Sequence, residues 1–198
     1  AGTNFVNSSN LHCRFGAFSI ASTFVSATRV RCTAPAQLPA DVIVDVTNNN
    51  RDYTASAVTF LYRLSAQVNS LLPLTGPMSG VTNVTVIGSN FFMGSTWCMF
   101  GTAPPVVGYA LTSTVAFCQA PVSTQASAVF VEASNNNYDF SSNLVPFTYY
   151  SPEALTTLIP TNGPTTGGSL VTVIGANFTN TGTLVCRFGT AVAFATWT

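Results

Sequence analysis

The chain has 198 residues, of which 47% are hydrophobic and only 6% charged, whereas an ordinary soluble domain has roughly 25% charged residues. Six arginines balance six acidic residues and no lysine is present, so the chain lacks the basic stripe that a nucleic acid or an anionic membrane surface requires. Polar residues, glycine and proline interrupt the apolar runs, so we expect no membrane insertion within this segment.

Runs in which apolar and polar residues alternate predict short β-strands, because successive side chains of a strand point to opposite faces. In chain order, these runs lie at 42–46, 84–88, 115–118 and 129–132. Gly-Pro, Pro-Pro and Asn-Asn-Asn turn signals separate the strands, and no amphipathic helix is apparent. The triple asparagines at 48–50 and 135–137 fit hairpin loops, since asparagine tolerates a positive φ. We therefore predict an all-β fold of antiparallel sandwiches.

One pattern occurs three times: a glycine two residues before Asn-Phe, followed a few residues later by Cys-x-Phe-Gly. Its asparagines, Asn4, Asn90 and Asn177, are 86 and 87 residues apart (90−4, 177−90). This period suits a small domain and is too long for a solenoid unit. The predicted domains are a partial repeat at 1–62, a complete repeat at 70–150 and the opening part of a third at 156–198.

The five cysteines follow the same period. Cys13 and Cys32 are 19 residues apart (32−13), and Cys98 and Cys118 are 20 apart (118−98), which favours one disulfide in each repeat among three possible pairings. Cys186 is expected to pair with a cysteine beyond this segment. Disulfides would indicate an oxidising compartment, and the alternative is free buried cysteines in a cytosolic protein. One histidine and no Cys-x-x-Cys motif argue against zinc.

A chain with so little charge needs another route to solubility, either covalent glycans or a surface covered by neighbouring protein. Three Asn-x-Ser/Thr sequons could carry N-linked glycans, at Asn7, Asn83 and Asn177. Sequons also arise by chance in a sequence rich in asparagine, serine and threonine. We predict glycosylation, with Asn83 the less favoured site because it lies in a predicted strand.

Further motifs carry a family resemblance. The segments 160–168, 171–178 and 186–189 resemble the start of an IPT/TIG domain, the immunoglobulin-like module of plexins, some transcription factors and many extracellular repeat proteins. The first repeat continues in the same way, with Arg-Cys-Thr-Ala-Pro at 31–35 and a closing Phe-Leu-Tyr at 60–62. The resemblance implies tandem immunoglobulin-like sandwiches that bind or scaffold, and it supplies no catalytic residues.

Other residues offer weaker signals. His12 beside Cys13 could form a thiol–imidazole pair, although a structural histidine is favoured because catalysis needs an oriented third group. Asp52 and Asp139 follow the asparagine runs and could offer oxygen ligands to calcium. One carboxylate in each loop supplies few of the ligands that calcium needs. Five aromatic residues of the middle repeat could stack on sugars, but we expect their side chains to fill the core. These residues are Phe91, Phe92, Trp97, Phe100 and Phe117. We expect no metal, no cofactor and no enzymatic activity.

These observations favour an extracellular or cell-surface structural protein whose domains assemble with copies of themselves into a glycosylated filament. The alternatives are the ligand-binding ectodomain of a plexin-like receptor or adhesin, and an accessory region of a carbohydrate-active enzyme. Half a sandwich exposes unpaired strand edges, so we expect neighbouring protein to complete both partial repeats. That protein would be either the same continuous chain or a second copy joined head to tail.

Overall fold

A computed structural model describes residues 2–94, 96–178, 180, 182 and 184–198. Every regular element within these residues is a β-strand, which confirms the all-β prediction. The described part of the chain contains no helix of the length and hydrophobicity needed to cross a membrane. The chain divides into two compact units, Ala1–Leu64 and Ser65–Thr198.

Among its described residues, the first unit has six strands: β1 (His12–Phe15), β2 (Phe18–Ala21), β3 (Thr23–Ser26), β4 (Arg29–Arg31), β5 (Ala40–Thr47) and β6 (Thr59–Tyr62). Four of them form an antiparallel sheet in the order β2-β1-β5-β6, and β3 pairs with β4. Alternation along β1 turns Cys13 and Phe15 inward, where they are buried with Leu11. The ring of Phe15 contacts Phe60 on β6 edge to face, with centroids 5.7 Å apart.

In the part of the second unit that the structure describes there are twelve strands: β7 (Gln67–Leu72), β8 (Thr75–Pro77), β9 (Asn83–Ser89), β10 (Thr96–Phe100), β11 (Val106–Ala110), β12 (Val115–Gln119), β13 (Ala128–Ser134), β14 (Val145–Tyr150), β15 (Ala154–Ile159), β16 (Thr172–Ala176), β17 (Val185–Phe188) and β18 (Ala191–Phe194). The first eight connect in the order β7-β9-β12-β11-β10-β13-β14-β8 and form the middle repeat. The others form two pairs, β15-β16 and β17-β18. Strands β7 and β15 begin a few residues before the predicted domain starts at 70 and 156.

The core of the middle repeat lies between two layers, with β7, β9, β12 and β11 on one side and β10, β13, β14 and β8 on the other. Val84 and Val86 on β9 are fully buried, as their alternation with polar neighbours predicts. Phe147 on β14 is also fully buried, and its ring meets Phe100 and Tyr149 edge to face at centroid distances of 5.5 and 5.1 Å. Such contacts add to the hydrophobic stabilisation from burial, so we take Phe147 as the centre of this core.

The repeated Gly-x-Asn-Phe pattern has a local packing role. A Cβ on Gly88 would overlap the carbonyl oxygen of Gln67 on the neighbouring strand and would lie 2.7 Å from the ring of Phe91. Only glycine therefore lets β7 and the phenylalanine ring approach β9 this closely. Asn90 between them has φ 61°, a left-handed conformation that asparagine adopts more readily than other non-glycine residues. The corresponding asparagines of the other two repeats have φ values of 60° and 62°.

Tyr149 links β14 to the chain that follows β12. Its hydroxyl donates to the Pro121 carbonyl (3.0 Å), and burial raises the pKa of the phenol above its ordinary value of 10.0. As pH rises, the unfolded chain loses the Tyr149 proton before the native protein does. The contribution of protonated Tyr149 to the free energy of unfolding is therefore complete below pH 10, the ordinary pKa, and declines as pH rises through the native pKa.

We therefore expect Tyr149→Phe to reduce the alkaline loss of stability relative to the original protein. Urea midpoints measured between about pH 8 and pH 11 test this, since the window spans the ordinary tyrosine pKa. Tyr150→Phe is the matched control, because Tyr150 is exposed on the same strand. An alkaline profile that Tyr149→Phe leaves unchanged would contradict the expectation.

Candidate functional site

The first asparagine of each Asn-Asn-Asn run ties two loops together. The side-chain amide of Asn135 donates to the Asn90 carbonyl (2.8 Å), and its Oδ1 accepts the backbone N–H of Phe92 (2.9 Å). Asn48 donates to the Asn4 carbonyl in the first unit in the same way (2.9 Å). One amide thus satisfies a donor and an acceptor of the opposing backbone, and it fixes the two loops relative to each other.

Replacing Asn135 with alanine is expected to lower the free energy of unfolding by about 1–3 kcal/mol, because both hydrogen bonds to the opposing loop are lost. Urea unfolding followed by circular dichroism measures the change. Asn137→Gly is the matched control, since Asn137 has φ 63°, a conformation that glycine adopts without strain. If the two variants are equally stable, Asn135 does not hold the loops.

The second asparagine closes its own turn. Asn136 Oδ1 accepts the backbone N–H of Asp139 (2.9 Å), and its amide donates to the Asp139 carboxylate (2.7 Å). Asn49 and Asp52 make the same two contacts in the first unit (2.9 and 2.8 Å). The two aspartates considered as calcium ligands therefore complete these turns. Within the described ranges, the structure gathers no group of three or more His, Cys, Asp or Glu side chains at which a metal could bind.

Three large apolar side chains stand exposed on the tied loops of the middle repeat. Phe92 is 52% exposed, Met93 70% and Tyr138 88%. Phe92 and Met93 lie on the loop that Asn135 holds, and Tyr138 follows the asparagine run itself. We call these three residues the loop tip. Large apolar side chains on loops that are fixed by hydrogen bonds are typical of protein-binding surfaces.

The first unit and the middle repeat each bury one carboxylate. Asp45 pairs with the guanidinium of Arg14 (2.7 Å), which lies over the Tyr53 ring at 4.1 Å from its centroid. Glu132 occupies the corresponding place in the middle repeat, opposite a methionine instead of an arginine. It accepts hydrogen bonds from the Ser141 hydroxyl and from a backbone N–H of the same loop. The two sandwiches thus satisfy a buried acid by different means.

The structure joins Cys13 to Cys32 and Cys98 to Cys118, with Cα atoms 6.3 and 6.2 Å apart. Each bond closes a segment that spans several strands of its own sandwich. Cys186 on β17 has no disulfide partner within the described residues. Its bond to a cysteine beyond this segment stays a prediction.

Replacing Cys98 and Cys118 together with alanine is expected to lower the unfolding free energy by about 3 kcal/mol, the chain-entropy value for a loop of about 20 residues. Guanidinium unfolding without reductant measures the loss. The same measurement with reductant is the control, since neither the original protein nor the double variant then holds the Cys98–Cys118 bond. A double variant as stable as the original protein without reductant would show that the disulfide does not stabilise the middle repeat.

The three sequon asparagines have different surroundings. Asn7 is exposed on the loop before β1, and Asn83 is exposed at the first residue of β9. Asn177 is exposed too, but its side-chain amide donates to the Pro152 carbonyl (3.0 Å), as Asn90 does to the Ser65 carbonyl. The threonine of the Asn177 sequon, Thr179, lies outside the described residues. Glycosylation of all three asparagines stays a prediction.

The outward side of strands β7, β9, β12 and β11 forms an uncharged surface, which we call the neutral sheet face. It consists of Leu72, Thr85, Ile87, Val107, Tyr109 and Phe117. Thr85 lies between Leu72 and Phe117 in the register, and Tyr109 pairs with Phe117 on the next strand. Phe117 is 41% exposed and Leu72 64%. Exposed apolar side chains in adjacent strands form a contiguous patch, and such patches mark interaction surfaces in soluble proteins.

The prediction that the aromatic residues fill the core is wrong for two of them. Phe91 and Phe100 are buried, but Phe92 and Phe117 are exposed. For Phe117 the reason is the disulfide. Cys118 must face inward to reach its partner, so the alternation of the strand points Phe117 to the opposite side. Trp97 is partly buried on β10.

His12 and Cys13 lie next to each other on β1, but they do not form a reactive pair. The Cys13 sulfur is bonded to Cys32, and neighbouring side chains of a strand point to opposite faces. Nδ1 of His12 is buried without a hydrogen-bond partner in the described part of the chain. The structure therefore assigns His12 no partner for catalysis.

The fold and the disulfides define a protein built from tandem immunoglobulin-like sandwiches. A sequence model of the IPT/TIG domain family matches residues 1–62, 66–149 and 154–197. The chain belongs to the IPT/TIG family, which is a family of non-catalytic domains. This match confirms the resemblance seen in the sequence, including its occurrence in three repeats.

A solved structure supports the same fold. The chain is similar to the full extracellular region of plexin A4, domains 1 to 10, with 17% identity and a TM-score of 0.51, over 97% of this chain and 20% of that one. A second structure of that region, with domains 1 to 8, matches at 14% identity and a TM-score of 0.38, over 88% of this chain and 25% of that one. The chain thus spans about a fifth to a quarter of the length of these structures. At 17% identity, the similarity to the first of these structures establishes the fold alone.

Proposed function

We propose that the chain is a segment of an extracellular or cell-surface protein in which tandem IPT/TIG domains bind a protein ligand. The observation that carries this proposal is the disulfide in each of the first two sandwiches, because such bonds form and persist in oxidising compartments. The family match and the similarity to an extracellular region support the same class of protein.

The loop tip is the proposed contact with the protein ligand. Phe92, Met93 and Tyr138 expose large apolar groups on loops that the Asn135 side chain fixes before any ligand arrives. Binding then requires little ordering of the loops, and the free energy from burying these side chains is retained as affinity. The protein has no enzymatic role in this proposal, since IPT/TIG domains are of a non-catalytic type.

A structural protein that assembles with copies of itself is the second candidate. Residues 64–131 contain no formal charge, so charge repulsion between copies of this region would be weak. Covalent glycans would then supply solubility to the exposed sides of the assembly. The family match and the plexin similarity favour the receptor-type proposal, and composition alone supports the filament.

Labelling intact cells that express the whole protein tests the extracellular location that both candidates share. A membrane-impermeant biotin reagent should label the protein, and mass spectrometry of the labelled fraction should recover the peptide that links Cys98 to Cys118. Electron micrographs of the released protein should then show discrete molecules, whereas regular filaments would favour the second candidate. An unlabelled protein with reduced cysteines would refute the extracellular assignment.

A further inference from the structure

We infer that Asn83 carries an N-linked glycan whose first sugar lies on the Phe117 ring and covers the neutral sheet face. The inference rests on the extracellular location proposed above, since N-linked glycans are added in the secretory pathway. It joins two features that are separate in the sequence: a sequon at 83–85 and an exposed aromatic side chain 34 residues away (117−83).

The sequon lies on the same side of the sheet as the exposed apolar residues. Along β9, Val84 is buried, so Asn83 and Thr85 both point outward. Asn83 is exposed, and its side-chain amide makes no hydrogen bond to other described residues, in contrast to Asn177. Attachment of a sugar to the Asn83 amide would therefore break no contact that the structure shows.

The register of the sheet brings this asparagine close to Phe117. Asn83 is paired with Gln119, and Phe117 is paired with Thr85, so Asn83 and Phe117 are diagonal neighbours on adjacent strands. Diagonal neighbours on one face are about 7–8 Å apart, which is within reach of long or bulky side chains. A sugar ring linked to the asparagine amide spans this gap and can rest on the exposed aromatic face.

The chemistry of the surface suits a sugar. A pyranose has an apolar C–H side, which can lie on the electron-rich face of an aromatic ring, while its hydroxyls point outward to water. The neutral sheet face lacks the charge that would otherwise keep it soluble, because all six of its residues fall within the uncharged stretch 64–131. A covalent glycan at its border therefore covers apolar surface and replaces it with a hydrated one.

Occupancy of the site is tested on the whole protein secreted by a eukaryotic host. Enzymatic removal of N-glycans in ¹⁸O water converts an occupied asparagine to labelled aspartate, which peptide mapping detects. Labelled aspartate is expected at position 83 in the original protein and in Thr85→Ser, which keeps the sequon, and it should be absent in Thr85→Val. Secreted, disulfide-bonded protein with unlabelled Asn83 would overturn the inference and leave the extracellular proposal intact. Protein that is retained in the cytosol with reduced cysteines would refute the extracellular proposal itself.

The contact with Phe117 is tested by a thermal cycle. Removing the glycan should lower the Tm of the original protein by about 2–4 °C, a shift typical of modest destabilisation in a chain of this size. In Phe117→Ala, whose side chain is already 41% exposed, the same treatment should lower Tm by less than half as much. Phe130→Ala is the control, an exposed phenylalanine on β13, and it should keep the full shift. An equal shift in all three proteins would overturn the placement of the sugar on Phe117.

Discussion

Replacing Phe147 with alanine should lower the free energy of unfolding of the middle repeat by about 3–5 kcal/mol, the range for large aromatic side chains removed from a core. Phe147 is fully buried, and its ring contacts Phe100 and Tyr149 edge to face. The substitution removes these contacts and leaves a cavity that the β-sheets on either side cannot close. Urea unfolding followed by the fluorescence of Trp97 reports on this repeat, with Trp197 replaced by phenylalanine in all proteins compared.

The matched control is Phe130→Ala on the neighbouring strand β13, where the side chain is 49% exposed. Its loss should cost no more than about 1 kcal/mol, because little buried surface is removed. Both substitutions replace phenylalanine with alanine, so the difference between their unfolding free energies measures the effect of burial. If both variants unfold at the same urea concentration, Phe147 is not at the centre of the core.

Replacing Gly88 with alanine should destabilise the middle repeat by about 3 kcal/mol or more, the upper range for overpacking in a tight site. The added methyl group would overlap the Gln67 carbonyl oxygen, which belongs to the backbone and cannot rotate away. Strand β7 would have to separate from β9, and its hydrogen bonds would be lost with it. The backbone amides of β7 and β9 should exchange their hydrogens faster in Gly88→Ala than in the original protein.

Gly163→Ala is the control for this substitution. The atoms nearest to a Cβ at Gly163 belong to the side chain of Ser169, which can adopt another rotamer. Neither glycine has the positive φ that would strain alanine, so the comparison separates a clash with backbone from a clash with a movable side chain. Unchanged exchange in Gly88→Ala would mean that β7 and β9 pair less closely than described here.

The sequence was sufficient for the fold because the signals are local. Alternation at Val84 and Val86 marks an inward face, and the period of the Gly-x-Asn-Phe pattern marks the domains. The triple asparagine predicted a positive φ, which Asn137 has. The role of Asn135 was beyond sequence reasoning, because its partner Asn90 is 45 residues away and only the folded chain brings the two loops together.

Sequence reasoning also did not predict the burial of Glu132 or the exposure of Phe117, because both depend on contacts that only the folded chain creates. A charged residue at an outward strand position is expected in water, but the loop that contains Ser141 folds over Glu132. Phe117 shows the opposite outcome, since the inward place beside it is taken by Cys118. In both cases the outcome depends on tertiary contacts, which override the usual preference of the residue type.

The two ways of satisfying the buried acid have a consequence for how a chain of similar repeats folds. Neighbouring repeats with alike strands can exchange them while folding, a known failure of tandem arrays. A sandwich in which β10 pairs with β5 would set Met99 opposite Asp45. The Asp45 carboxylate would then be buried without the Arg14 guanidinium, its partner in the native first unit. Such a mispaired sandwich is penalised by an unpaired buried charge, whereas each correct pairing is not. The ion pair of the first unit thus disfavours this exchange of β1 for β10 during folding.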